Sequence, residues 1–318
     1  VDAFSLTDVD AFLRYAHLPG RKPALVYLTG LGLAAWGTYD GCVADRVLAA
    51  RQRVLVDVLG AGLSDAPEAF PYGLEDHAAT IASLLDHLAL KGATIVAYRF
   101  GGAVAITLAA TRPELVRALV LAAPNLEPGG GFLSGRIARQ SEEAFRKDGF
   151  AELLAESRAK GRAGSRPWAV TSGMMQIASP HGLHRTAVGL VKGIRPTMRE
   201  RLLTLRIPRT IIRGADSGPN PREAELVAGG ARLLTVPRAG HGMMWENPTG
   251  FVAAVSGGGY ILGAEARYSR APERARPTVT GPGPAGCDAL NNMRRRYHDP
   301  GQAARSRRPE RSRRREVA

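Results

Sequence analysis

Six short apolar runs, separated by stretches long enough for helices, constrain this chain more than any other feature. They are "ALVYLTG" (24–30), "RVLVDVLG" (53–60), "ATIVAY" (93–98), "RALVLAAP" (117–124), "RTIIRG" (209–214) and "RLLTVP" (232–237). Their apolar character is continuous, with none of the alternation expected of a strand that has one wet face. Such strands are buried on both sides, and helical connections between them imply a mostly parallel sheet covered on both faces. The predicted fold class is therefore α/β.

The connecting helices carry their own signals. In "LEDHAATIASLLDHL", Leu74, Ala78, Ile81, Leu85 and Leu88 fall on one stripe at helical spacing. Gly73 precedes them as a cap, and Glu75 and Asp76 suit the positive first turn. A second helix is expected from near Gly101 to just before Pro113, because the residue preceding a proline avoids helical geometry. Between Leu126 and about Ile207 the strand rhythm stops. "SGRIARQSEEAFRKDGFAELLAESRAKG" reads as two amphipathic helices, and strands resume afterwards. The expected organisation is a core of residues 1–125 and 208–256, with a helical lid at 126–207 over the strand ends. From 257 to 318 the sequence turns rich in Gly, Pro and Arg, without apolar periodicity, and is expected to be disordered.

Composition removes several classes of function. The net charge is +14, and fourteen Arg against six acidic residues place +8 of it beyond Gly257. Only Tyr268 and Tyr297 stand among those arginines as stacking rings, so the tail reads as solvated and nucleic-acid binding is not expected. Cys42 and Cys287 form neither a disulfide framework nor a metal-ligand cluster, so no metal is expected. "GGG" at 129–131 lacks the Lys-Ser/Thr of a phosphate loop, and no other cofactor motif is present. No apolar run is long enough for a membrane span, and "VDAFSLTDVDAFLRY" shows no signal-peptide pattern. A cytoplasmic protein with a small-molecule substrate or ligand, and no membrane partner, is the expectation.

In open α/β sheets, sites form at the carboxyl ends of the strands. Four segments collect there: "TGLG" (29–32), "AYRFGG" (97–102), "GADSGPNP" (214–221) and "PRAGHGMMWENP" (237–248). His241 stands on a glycine-flanked loop after the last strand, and an imidazole there has the basicity and rotational freedom of a general base. Its plain alternative is a surface-loop histidine. Met174, Met175 and Trp168 are expected on the apolar face of the lid.

Taken in order, "TGLG", "DVLGAGLSDAP", the elbow with "GGAVAITLAATRPELVRALVLAAP", and "AGHGMMWENPTGF" resemble the lidded, esterase-like α/β-hydrolases across roughly residues 10–256. The resemblance implies a triad in the order nucleophile, acid, histidine, with the nucleophile in a G-x-S-x-G elbow. It assigns His241 as the base and Asp216 as the acid that orients it, with Glu127 as the alternative acid. The same Asp-Ser-Gly-Pro is also an ordinary turn. The oxyanion donors would be the backbone N–H groups of Leu31 and Phe100.

At the nucleophile position stands Arg99, in Ala97-Tyr98-Arg99-Phe100-Gly101. A guanidinium only donates hydrogen bonds and stays protonated, so it cannot attack a carbonyl. Thr29 likewise replaces the usual histidine of the oxyanion loop. The expected function is that of a protein descended from hydrolases of small esters, amides or lactones, with that activity much reduced or absent. The alternatives are a non-catalytic binder of small anions, and an enzyme using His241 to abstract a proton.

Overall fold

The runs of β-branched and other apolar residues form the sheet they predict, in a computed structural model that describes residues 1–218 and 222–257. The strands are β1 (Asp2–Leu6), β2 (Ala11–Leu18), β3 (Arg21–Leu28), β4 (Arg51–Asp57), β5 (Ala93–Tyr98), β6 (Val116–Ala122), β7 (Arg209–Gly214) and β8 (Arg232–Val236). They make one sheet in the order β1-β2-β4-β3-β5-β6-β7-β8. From β4 to β8 every neighbouring pair is parallel, while β1–β2 and β2–β4 are antiparallel. The fold class is thus the expected α/β. The hairpin of β1 and β2 was not anticipated, although β2 buries Ala11, Leu13 and Tyr15 while leaving Phe12 exposed, the alternation of a strand with one wet face.

Alternate residues of the central strands enter two separate cores. Val26, Leu28, Val54, Val56, Ile95, Ala97, Leu119 and Leu121 face one, and Leu25, Tyr27, Leu55, Val96, Tyr98, Val120 and Ala122 the other. Helices cover both faces, as a two-sided apolar sheet requires. On the first face lie α2 (Leu74–His87) and α3 (Phe100–Thr111), with Leu74, Ala78, Ile81 and Leu85 buried as the stripe predicts and Leu88 at the helix end half-buried. On the second lie α1 (Ala35–Ala44) and the helix Pro248–Ser256, through Tyr39, Phe251 and Val255.

Between β6 and β7 the chain is helical. The longer elements there are α4 (Phe132–Ala138), α5 (Phe150–Arg162), α6 (Arg166–Met175), α7 (Pro180–Lys192) and α8 (Met198–Thr204). The first predicted amphipathic helix is broken near Gln140, where Ser141 accepts the Ala144 N–H at 3.1 Å and starts a new turn. Among the described residues no helix is long and apolar enough to cross a membrane. The expected disordered tail lies, from residue 258 onward, outside the described residues.

Candidate active site

The strand β5 ends in a bend whose geometry is set by close backbone approach. Arg99 has φ 51° and ψ −111°, a conformation that costs a non-glycine residue on the order of 1–3 kcal/mol. Its N–H bonds the Ala122 carbonyl at 3.0 Å, and its own carbonyl accepts the Gly102 N–H at 2.9 Å. The start of α3 is drawn against β3, with the Gly101 N–H on the Thr29 carbonyl at 2.8 Å. A Cβ at Gly101 would meet the Leu28 and Thr29 carbonyl oxygens at 2.6 Å, so only glycine fits. The whole turn is thus fixed by main-chain contacts, and the side chain at 99 is not needed to form it.

Arg99 projects into a cavity of about 530 Å³. Leu31, Phe100 and His241 line the same cavity. The chain therefore brings the elbow, the loop at 29–32 and the histidine loop together. Phe100 and Leu31 can each offer a main-chain N–H, and among the described residues neither N–H has an acceptor. Thr29, in place of a histidine, is buried and donates to the Leu33 carbonyl at 2.9 Å, which pins the loop from inside.

The histidine loop is held on two sides. The Tyr98 hydroxyl donates to the His241 carbonyl at 3.1 Å, and a Glu246 carboxylate oxygen accepts the Gly240 N–H at 2.6 Å. Tyr98 is buried, and burial raises its pKa, while the charge and hydrogen bond of Arg99 pull it the other way. The His241 ring is open to the cavity yet packed about by protein. That burial, and then the Arg99 charge, lower its pKa to about 4. Its neutral form is the one present at neutral pH.

The acids stand differently. Asp216 lies in the turn Ala215–Ser217 after β7, exposed, with its N–H on the Ala239 carbonyl at 2.9 Å. That bond puts its backbone beside the histidine loop, and a Cβ on Gly214 would strike the Gly240 oxygen at 2.0 Å. Its carboxylate makes no hydrogen bond to His241, and it does not line the cavity. Glu127 is exposed, accepts from Arg199 at 2.6 Å, and also lies outside the cavity lining. The carboxylate that does line the cavity is Glu246. Its position five residues after His241 on the same loop was the available signal.

Arg99 has no carboxylate partner within ion-pairing distance among the described residues. Its neighbour is Tyr98, whose ring centre lies 5.9 Å from the guanidinium carbon. Ser134 and Ser165 also line the cavity, and neither bonds the His241 ring. The Ser134 hydroxyl is occupied by Gly131, accepting its N–H at 2.8 Å. Ser64 is structural, donating to the Asp57 carbonyl at 2.5 Å and accepting the Arg14 N–H at 2.7 Å. Met175 and Trp168, expected on the apolar face of the lid, line the cavity, whereas Met174 is buried against α1 through Gly37 and Thr38. Among the described residues no group of His, Cys, Asp and Glu is placed to hold a metal ion.

The sequence pattern of the alpha/beta hydrolase fold matches residues 23–248. The chain belongs to this family. It is 34% identical over 103 residues to a 2-hydroxy-6-oxo-2,4-heptadienoate hydrolase of Pseudomonas putida, a match covering 32% of the chain and 37% of that protein. It is 31% identical over 176 residues to a 2-(acetamidomethylene)succinate hydrolase of Mesorhizobium japonicum, covering 52% of the chain and 61% of that protein. The matched stretches thus span less than two thirds of either relative. A thermophilic esterase from Thermogutta terrifontis, solved with malate bound, shares the fold with a TM-score of 0.68 at 19% identity, over 81% of this chain and 97% of that one. The homologues include hydrolases of this family, and their fold is this chain's fold.

Proposed function

We propose that this protein is an α/β-hydrolase in which hydrolysis of small esters, amides or lactones through an acyl-enzyme is much reduced or absent. One observation carries the reading: the side chain at the strained bend, where the family's nucleophile stands, is Arg99, and it enters the cavity that His241 also lines. Loss of a triad nucleophile costs about 10⁶ in turnover, on the order of 8 kcal/mol of barrier. The helices of 126–207 act as the lid, and Asp216, whose N–H bonds the Ala239 carbonyl beside the histidine loop, takes the place of the triad acid. Initial rates on a panel of p-nitrophenyl esters and lactones test this. The wild-type chain should stay near background and Arg99→Ser should gain turnover. Robust wild-type turnover would overturn the reading.

A second reading is favoured by the lack, among the described residues, of a carboxylate partner for Arg99. A guanidinium with no carboxylate beside it, facing two unoccupied backbone donors, supports the binding of a small anion in the cavity. The two relatives named above are hydrolases of compounds that, by name, carry carboxylates. Proton abstraction by His241 draws less support, since a conjugate acid with a pKa near 4 makes a weak base.

A further inference from the structure

The cavity is a mostly apolar chamber with a single fixed positive charge. Among its lining residues Arg99 is the only lysine or arginine. Around it Leu31, Leu33, Leu133, Trp168, Met175 and Trp245 supply a hydrocarbon and aromatic wall contributed by the core and by α4 and α6. Its volume of about 530 Å³ falls in the range of sites that enclose a small organic ligand.

We propose that this cavity binds an organic monocarboxylate with an apolar tail. The head is held by the Arg99 guanidinium and the Leu31 and Phe100 N–H groups. The tail lies against Trp168, Met175 and Trp245. This rests on the anion-binding reading and narrows it to one ligand class.

Three features select that class. A guanidinium presents paired N–H donors that match the two oxygens of a carboxylate. The 12-residue helix α3 begins at Phe100, so its positive end and first free N–H face the same point. An anion there also relieves the conflict of a cation at a helix N-terminus. The charge is limited to one because the wall offers no second cation and carries Glu246, which repels another negative group. A dicarboxylate would leave its far end desolvated against hydrocarbon. The neutral His241 ring adds no positive charge at neutral pH. Asn125, whose N–H reaches the Arg99 carbonyl at 3.3 Å, is a further polar residue of the cavity lining.

Isothermal titration of the full chain at pH 7.5 with acetate, butanoate, hexanoate and octanoate tests the proposal. Octanamide serves as the neutral analogue and suberate as the dicarboxylate. Affinity should rise about 3- to 4-fold per added methylene. Octanamide and suberate should each bind at least tenfold more weakly than octanoate. Arg99→Gln should weaken every carboxylate tenfold or more, Arg99→Lys less so, and Trp168→Ala should weaken octanoate several-fold while leaving acetate unchanged. Thermal melts of each variant establish that it is folded, and if Arg99→Gln is not, the octanoate-to-octanamide ratio on the wild type decides. Affinity that depends on Arg99 but not on chain length would overturn the tail assignment and leave anion binding standing. Equal binding of octanoate and octanamide, or no binding of any carboxylate, would overturn both.

Discussion

His77 makes the stability of this fold sensitive to mild acid. It sits on α2, fully buried, with ring centres of Phe70 and Phe100 each at 5.2 Å and that of Tyr72 at 5.8 Å. Its Nε2 has one polar neighbour, the Thr186 hydroxyl of α7 at 3.4 Å, and its Nδ1 has none. A charged imidazolium there would lie among aromatic rings with no counter-ion, and burial lowers its pKa from 6.5 to about 3. Because the folded value is the lower one, the unfolded chain takes up more protons between these limits. Stability is fully present above pH 6.5 and is lost as pH falls toward 3. From these two values the loss attributable to His77 is about 1 kcal/mol at pH 5.5 and about 3 kcal/mol at pH 4.5. The perturbation is His77→Phe, which keeps a ring among the rings and removes the titration. Urea unfolding of both chains at pH 7.5, 5.5 and 4.5 isolates the effect. Other groups with shifted pKa values, including His181, His241, Glu142 and Glu200, remain in both proteins and leave the difference between them. The wild-type stability should fall relative to the variant by the stated amounts. A difference that stays constant from pH 7.5 to 4.5 would refute a neutral buried imidazole at this position.

Other substitutions test the parts that form the site. Gly101→Ala forces a methyl group onto the Leu28 and Thr29 carbonyls, and should cost about 1–3 kcal/mol of stability in urea unfolding. Asp57 accepts the Ala35 N–H at 2.7 Å and the Leu63 N–H at 2.9 Å, so Asp57→Ala leaves two loop donors unpaired and should lower stability by about 2 kcal/mol or more by the same assay. Tyr98→Phe removes the hydroxyl from the His241 carbonyl. Hydrogen exchange of residues 239–246 should then quicken, with that of β5 unchanged.

Much of the sheet was legible because its strands are buried on both faces, and a continuous apolar run survives any register. The β1–β2 pair escaped because it lies on one edge, and only the Ala11, Leu13, Tyr15 alternation marks it. For the site, the convergence of Leu31, Arg99, Phe100 and His241 followed from chain order along a parallel sheet, in which successive strand ends meet on one side. The acid was less legible. Asp216 was chosen by its place after β7, yet whether a turn aspartate points in or out depends on the loop's own dihedrals, and here the residue is exposed. Glu246 stands five residues after His241, and the short helix Met243–Glu246 carries its carboxylate back to the Gly240 N–H, a fold-back that depends on the loop's own dihedrals. That Arg99 has no ion-pair partner among the described residues was equally hidden, since pairing is decided by where side chains end.

On the proposed reading, position 99 carries the side chain that meets the cavity, and an arginine there forms no covalent acyl-enzyme. Intact-mass analysis after exposure to a fluorophosphonate probe tests it most directly, run side by side on the wild-type chain and on Arg99→Ser, with peptide mapping of any adduct. The wild type should stay unmodified, and the variant should carry a single adduct on residue 99. A stoichiometric adduct on the wild-type chain, at whatever serine, would contradict it.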